Sequence, residues 1–228
     1  MTGARVTTHH WTPSLRGLVF LLASSSLACL LVDFYGICSM RLFTLTIFLP
    51  AVLALAALGI YDWRGGDGRL GWSVLIGLSA GLLAAAAYDL FRLPFVFARQ
   101  WGIAWLIPPM DLFKVFPGFG AMILGQSVHQ VVYSTAASLL GWSYHFSNGA
   151  SIGIMYLAII GDPRRRHWAW AILMAVALEL GMLFTPYPRV FHIAVTSRFV
   201  IVTMAAHAIF GIGLGLTAQW FARRASAH

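Results

Sequence analysis

The chain has 228 residues, of which 60% are hydrophobic and only 10% charged, with a mean hydropathy of +0.80. A soluble domain carries about 25% charged residues, so a water-soluble globule is excluded. Seven spans of ~20 residues would use about 140 positions and leave only short loops. The expected fold is an all-α polytopic integral membrane protein of about seven transmembrane helices, six being the alternative count. It forms a single transmembrane helical domain over residues 1–228.

The net charge of +8 does not indicate nucleic acid. Such binding needs basic residues clustered on one face, whereas the 15 Lys and Arg are scattered through loops between apolar runs. A positive loop excess is what bilayer topology produces. Cys29 and Cys38 match neither CxxC nor CxxCH, so no thiol redox motif or covalent haem is indicated.

Arg5 and Arg16 precede the apolar run Leu18–Val32, but no small-x-small cleavage site with polar sequence follows. The run reads as a retained first span, Leu15–Tyr35, followed by a second at Leu42–Tyr61. The turn Asp62–Arg69 breaks the chain, and a third helix covers Gly71–Arg92 before Pro94. Phe95–Phe116 is apolar but interrupted by Arg99, Pro108, Pro109, Asp111 and Lys114. Trp101 and Trp105 suit the headgroup boundary, so an interfacial helical segment is expected near residues 95–116. Gly118–Gly161 holds no Lys, Arg, Asp or Glu and is too long for one helix. It predicts a tight hairpin of Gly118–Leu140 and Trp142–Ile160, turning near Gly141-Trp142-Ser143. A sixth helix at Trp168–Tyr187 and a seventh at Phe199–Phe221 complete the count.

Seven spans place the termini on opposite sides. Nine basic residues then fall on the side of the C-terminus (Arg41, Arg92, Arg99, Lys114, Arg164–Arg166, Arg223 and Arg224) and six on the other. The expected location is a bacterial inner (plasma) membrane with a cytoplasmic C-terminus. Expected partners are the lipid bilayer and other membrane subunits.

Asp33 and Asp89 fall at the predicted cytoplasmic boundary, where an i,i+3 Asp89–Arg92 pair or snorkelling into headgroups accounts for Asp89. A second polar set lies toward the opposite face. Tyr133, Asn148, Glu179 and His207, on four helices, each sit roughly 10–12 Å below the outer boundary at ~1.5 Å per residue. His129 and Gln126 extend the face of Tyr133 inward. His145 is one turn shallower than Asn148, and His192 lies in the outer connector. An ionisable carboxylate level with an imidazole is an expensive helix clip, because polar contacts between membrane helices contribute only ~0.6–2 kcal/mol.

His145-x3-Gly149-x3-Gly153 recurs as His207-x3-Gly211-x3-Gly215, on two helices expected to run in the same direction. Small residues at every fourth position let another backbone or a flat cofactor approach closely. Gly77 and Gly81 make a third such face without a His.

Three functions fit the polar layer. The first is a redox or metal-handling site for Zn, Fe, Cu or haem b. Glu179, His207, His145 and His129 would be the metal ligands, and His129, His145, Asn148 and His207 the cofactor-binding residues. The second is a proton-coupled small-solute transporter built on a proton-responsive Glu179–His207 pair. The third is an accessory or structural subunit of a larger membrane complex. No P-loop or nucleophile elbow is present, and no motif identifies a family.

Overall fold

A computed structural model describes residues 11–225, and every regular element among them is helical. In chain order these are α1 (Pro13–Phe34), α2 (Met40–Gly65), α3 (Arg69–Val96), α4 (Val115–Leu124), α5 (Thr135–Ile160), α6 (Trp170–Leu183), the single turn α7 (Tyr187–Val190) and α8 (Ser197–Arg224). Four of them, α1, α2, α3 and α8, are long and apolar enough to cross a membrane. α5 has 26 residues but carries Ser138, Ser143, His145, Ser147, Asn148 and Ser151 along its length.

Local chemistry explains the helix boundaries. Thr12 caps α1 by accepting from the Leu15 N–H, and Pro13 occupies the first turn, where its missing donor costs nothing. α2 contains a π turn at Thr44–Phe48, which ends two residues before Pro50. Pro50 has no N–H for the Thr46 carbonyl and its ring crowds that oxygen, so the ladder widens by one residue there. Between α5 and α6 a 3₁₀ turn at Pro163–Arg165 is capped by Asp162. The hydrogen bond from the Arg164 side chain holds the Asp162 carboxyl below its ordinary range.

The hairpin expected across Gly118–Ile160 does not form. α4 ends after only ten residues at Gly125, whose left-handed φ of 72° turns the chain out of the helix. An irregular stretch follows, and Ser134 caps α5 by accepting from the Ala137 N–H. α5 then runs unbroken through Gly141-Trp142-Ser143. Gly141 marks close packing instead of a turn: a Cβ there would lie 3.1 Å from the Gly120 nitrogen of α4. The interfacial helix expected at 95–116 is also absent. α3 continues to Val96, and residues 97–114 fold back in turns, with the Met110 N–H donating to the Phe95 carbonyl at 2.9 Å.

The shortness of α4 changes which groups share a face. Trp11, Arg69, Asp162 and Ala225 line one groove, so the two described ends lie on the same side of the bundle instead of on opposite sides. The ends of α1, α3 and α6 and the starts of α2, α5 and α8 then lie together on the other side. Arg5, one of the basic residues of the sequence argument, lies outside the described residues.

The centre of the bundle is a glycine seam between α3 and α5, which run antiparallel. A Cβ on Gly77 would lie 2.7 Å from the Ile154 Cα, and one on Gly149 would lie 2.7 Å from the Ala85 Cβ. The small-residue faces expected from the sequence are thus in direct contact. α8 is likewise antiparallel to α3, with Gly213 against Ala84 and Tyr88 against His207, so the two His-Gly-Gly helices do run in the same direction. Gly211 faces α6, where a Cβ would meet the Ile172 nitrogen at 2.7 Å, and Gly215 faces the Trp168 backbone just before that helix.

Gly77→Ala should lower stability in mild detergent by about 1–3 kcal/mol through overpacking against α5 backbone. Gly181→Ala, in α6 with nothing within 4 Å of its Cβ position, should be neutral or slightly stabilising because it only improves helix propensity. Thermal melts of the two variants, compared with wild type, separate a packed seam from a general intolerance of larger residues.

Candidate functional site

The C-terminal half of α3, the N-terminal halves of α5 and α8 and the end of α6 enclose a cavity of about 140 Å³. Tyr88, Arg92, His145, Asn148, Glu179 and His207 supply most of its polar wall, and Phe116, Phe119 and Phe210 its aromatic wall. α4 and α7 close it with Val115 and Tyr187.

Two carboxylate–imidazole pairs flank Tyr88. In the first, Glu179 Oε2 lies 3.4 Å from His207 Nε2, while Glu179 Oε1 accepts from the Thr203 hydroxyl at 2.9 Å. His207 Nδ1 is 2.9 Å from the Thr203 carbonyl, which can only accept, so Nδ1 carries a proton. Nε2 and Oε2 therefore need one further proton between them. Without it two lone pairs face each other in a buried site.

In the second pair, His145 Nε2 is 2.9 Å from Asp89 Oδ2. Asp89 Oδ1 lies 3.4 Å from Arg92 Nη1, and Arg92 Nη2 donates to the Leu112 carbonyl. The guanidinium also sits over Tyr88, Phe113 and Phe116, at 4.6, 4.9 and 5.3 Å from their centroids. Aromatic faces stabilise a desolvated cation, and Asp89 neutralises it. His145 is clamped further by stacking on Phe116, with centroids 4.2 Å apart. The Tyr88 ring stands between the pairs, 4.9 Å from His207 and 5.9 Å from His145.

The structure thus brings together Glu179, His207, His145 and Asn148. It does not bring in His129. That residue is exposed in the irregular stretch after α4 and stacks on His192, with centroids 4.6 Å apart and planes within 6°. It was expected one helical turn below Tyr133, but no helix exists there. Tyr133 instead closes its own loop by donating to the Val128 carbonyl at 2.6 Å, and Gln126 is exposed. Asn148 is tied to α1 by a hydrogen bond from the Ser26 hydroxyl. Among the described residues no three His, Cys, Asp or Glu side chains are grouped so as to hold a metal ion.

Sequence reasoning missed Asp89, Arg92, Tyr88 and Thr203 as members of this site. The Asp89–Arg92 pair exists as expected, but it is buried, with residue exposures of 8% and 6%, and not snorkelled into headgroups. Its misplacement has one cause: the full-length helix expected over 118–140, in fact the ten-residue α4, put the end of the third helix on the face opposite Glu179 and His207. The available signal was Asp89 and Arg92 together near the end of an otherwise apolar helix. Thr203, one turn before His207, offered none.

No family model, curated protein or solved structure matches the chain.

Removing one partner of a buried ion pair costs more than the pair contributes, because the survivor stays desolvated. Asp89→Asn should therefore destabilise the protein by about 3–5 kcal/mol, and adding Arg92→Gln should recover part of that loss. Denaturation of the two single variants and the double variant forms the cycle that reads this coupling; strictly additive losses would show that Asp89 and Arg92 act separately.

Proposed function

We propose that the chain is an integral membrane protein with six crossing segments (α1, α2, α3, α5, α6 and α8), whose cavity is a proton-coupled site for a small solute. The observation that carries this reading is the Glu179–Thr203–His207 arrangement. Its hydrogen bonds leave one exchangeable proton between Oε2 and Nε2, both at the cavity wall. The second pair differs in kind. Asp89 is neutralised by Arg92, so its charge is balanced with His145 neutral.

With the Glu179–His207 proton in place the pair is neutral overall, whichever atom holds it. When the proton leaves, a carboxylate remains beside the cavity with no cation committed to it. Solute and proton occupancy are then linked through charge: an anion in the cavity favours the protonated pair and a cation the deprotonated one. This is the thermodynamic minimum for coupling, since a ligand shifts an equilibrium only by its differential affinity for the two states.

The basic residues support an orientation. Arg16, Arg64, Arg69, Arg164–Arg166, Arg223 and Arg224 belong to the face that carries the termini, against Arg41, Arg99, Lys114, Arg189 and Arg198 on the site face. Eight to five favours cytoplasmic termini, with the cavity opening away from the cytoplasm. Reporters fused before Met1 and after His228 should both report the cytoplasm; opposite compartments would mean an odd number of crossings and a different bundle.

Difference infrared spectroscopy of the detergent-solubilised protein across pH tests the proton site directly. Wild type should show a D₂O-sensitive band of the shared proton, on the carboxylic acid or on the imidazolium, that disappears in Glu179→Gln. His207→Gln should also alter that band, because the carboxyl loses the base with which it shares its proton. Spectra indistinguishable between wild type and Glu179→Gln at every pH would sink the proposal and leave the pair as a helix clip in an accessory subunit.

A further inference from the structure

We infer that the solute is a small monocarboxylate with an apolar body about the size of one six-membered ring. This inference rests on the proton-coupled site proposed above and names its substrate class.

A second cavity of about 310 Å³ adjoins the first and shares Tyr88, Arg92, Glu179 and Tyr187 with it. It is lined on its outer side by exposed Lys114, Arg198 and Asp111. Lys114 is held at this rim by donating to the His192 carbonyl at 3.3 Å. From rim to inner wall the cations are Lys114, Arg198 and Arg92, against Asp111 and the proton-sharing Glu179. Asp89, which neutralises Arg92, faces His145 on the other side of the guanidinium. With Arg92 balanced by Asp89 and the Glu179–His207 pair holding its proton, Lys114 and Arg198 outweigh Asp111 by one positive charge, which favours an anion at the mouth of the vestibule.

The inner cavity sets size and body. Its volume of about 140 Å³ is close to the 150 Å³ of an apolar cavity that holds benzene, so one ring or a short branched chain fits within it. Leu27, Leu30, Ile152, Met182 and the phenylalanines line it, which favours an uncharged body. Tyr88, Arg92, Glu179 and Tyr187 are shared with the vestibule, so a carboxylate would sit near Arg92 with its body inward. A carboxylate of charge −1 and the one proton of the Glu179–His207 pair together form an electroneutral load, so the net charge of the site is the same loaded and empty.

Benzoate is the probe and benzamide its neutral isostere, with binding read by calorimetry on the full-length protein in mild detergent. Benzoate should bind saturably and at least tenfold more tightly than benzamide. The double variant Lys114→Gln/Arg198→Gln, altered only at exposed positions, should weaken benzoate several-fold and flatten its salt dependence while leaving benzamide unchanged. Equal affinity for benzoate and benzamide, or no saturable benzoate binding at millimolar concentration, overturns the inference. The infrared band of Glu179 needs no ligand, so benzoate failing with that band intact removes the anion and spares the proton site. Loss of the band removes both.

Discussion

The approach of α3 to α5 along their glycines governs the rest of the molecule. Gly77 and Gly81 meet Gly149 and Gly153 with backbone against backbone, closer than any Cβ would allow. That seam fixes the register of two long antiparallel helices, and the register decides that Asp89 stands opposite His145 at hydrogen-bond distance. α8 then packs on α3 through Gly213 and Tyr88, which sets His207 beside the same Tyr88 ring. Small residues at a membrane helix interface permit such approach, because dispersion and interhelical hydrogen bonds, with no hydrophobic gain, drive association there.

Within that frame the polar groups obey a simple electrostatic rule. A charge in a low-dielectric interior persists only with a partner and with its remaining hydrogen bonds satisfied. Arg92 meets the rule through Asp89, the Leu112 carbonyl and three aromatic faces. Glu179 and His207 meet it with one shared proton. The two carboxylate–imidazole pairs look alike in composition, yet only one has its charge set by a neighbouring guanidinium. That difference is what sets the two pairs apart.

Part of this was legible in residue order. The repeated His-x3-Gly-x3-Gly identified two helices that do run parallel, and Glu179 with His207 was singled out by depth along their helices. Both inferences used only spacing within a continuous apolar helix, where 1.5 Å per residue holds without reference to other elements. His129 failed because its depth was counted along a helix that ends at Gly125. Asp89 failed because its depth was counted from the wrong face. Gly141 was taken as a turn residue, and only contact with Phe116 and Gly120 shows that its missing side chain serves packing.

The amino-acid sequence by itself determined that this is an all-helical chain with long apolar segments. It also determined which ionisable side chains are too costly to leave unpaired there. Those properties follow from composition and from periodicity within single helices. Tertiary structure alone decided how those side chains pair. The uncharged stretch 118–160 is equally apolar as two crossings or as one short helix and one long helix, so hydropathy cannot choose between them. Close backbone packing of α4 on α5 and of α3 on α5 chooses, and it turns Asp89 and Arg92 toward His145, Glu179 and His207 in one cavity.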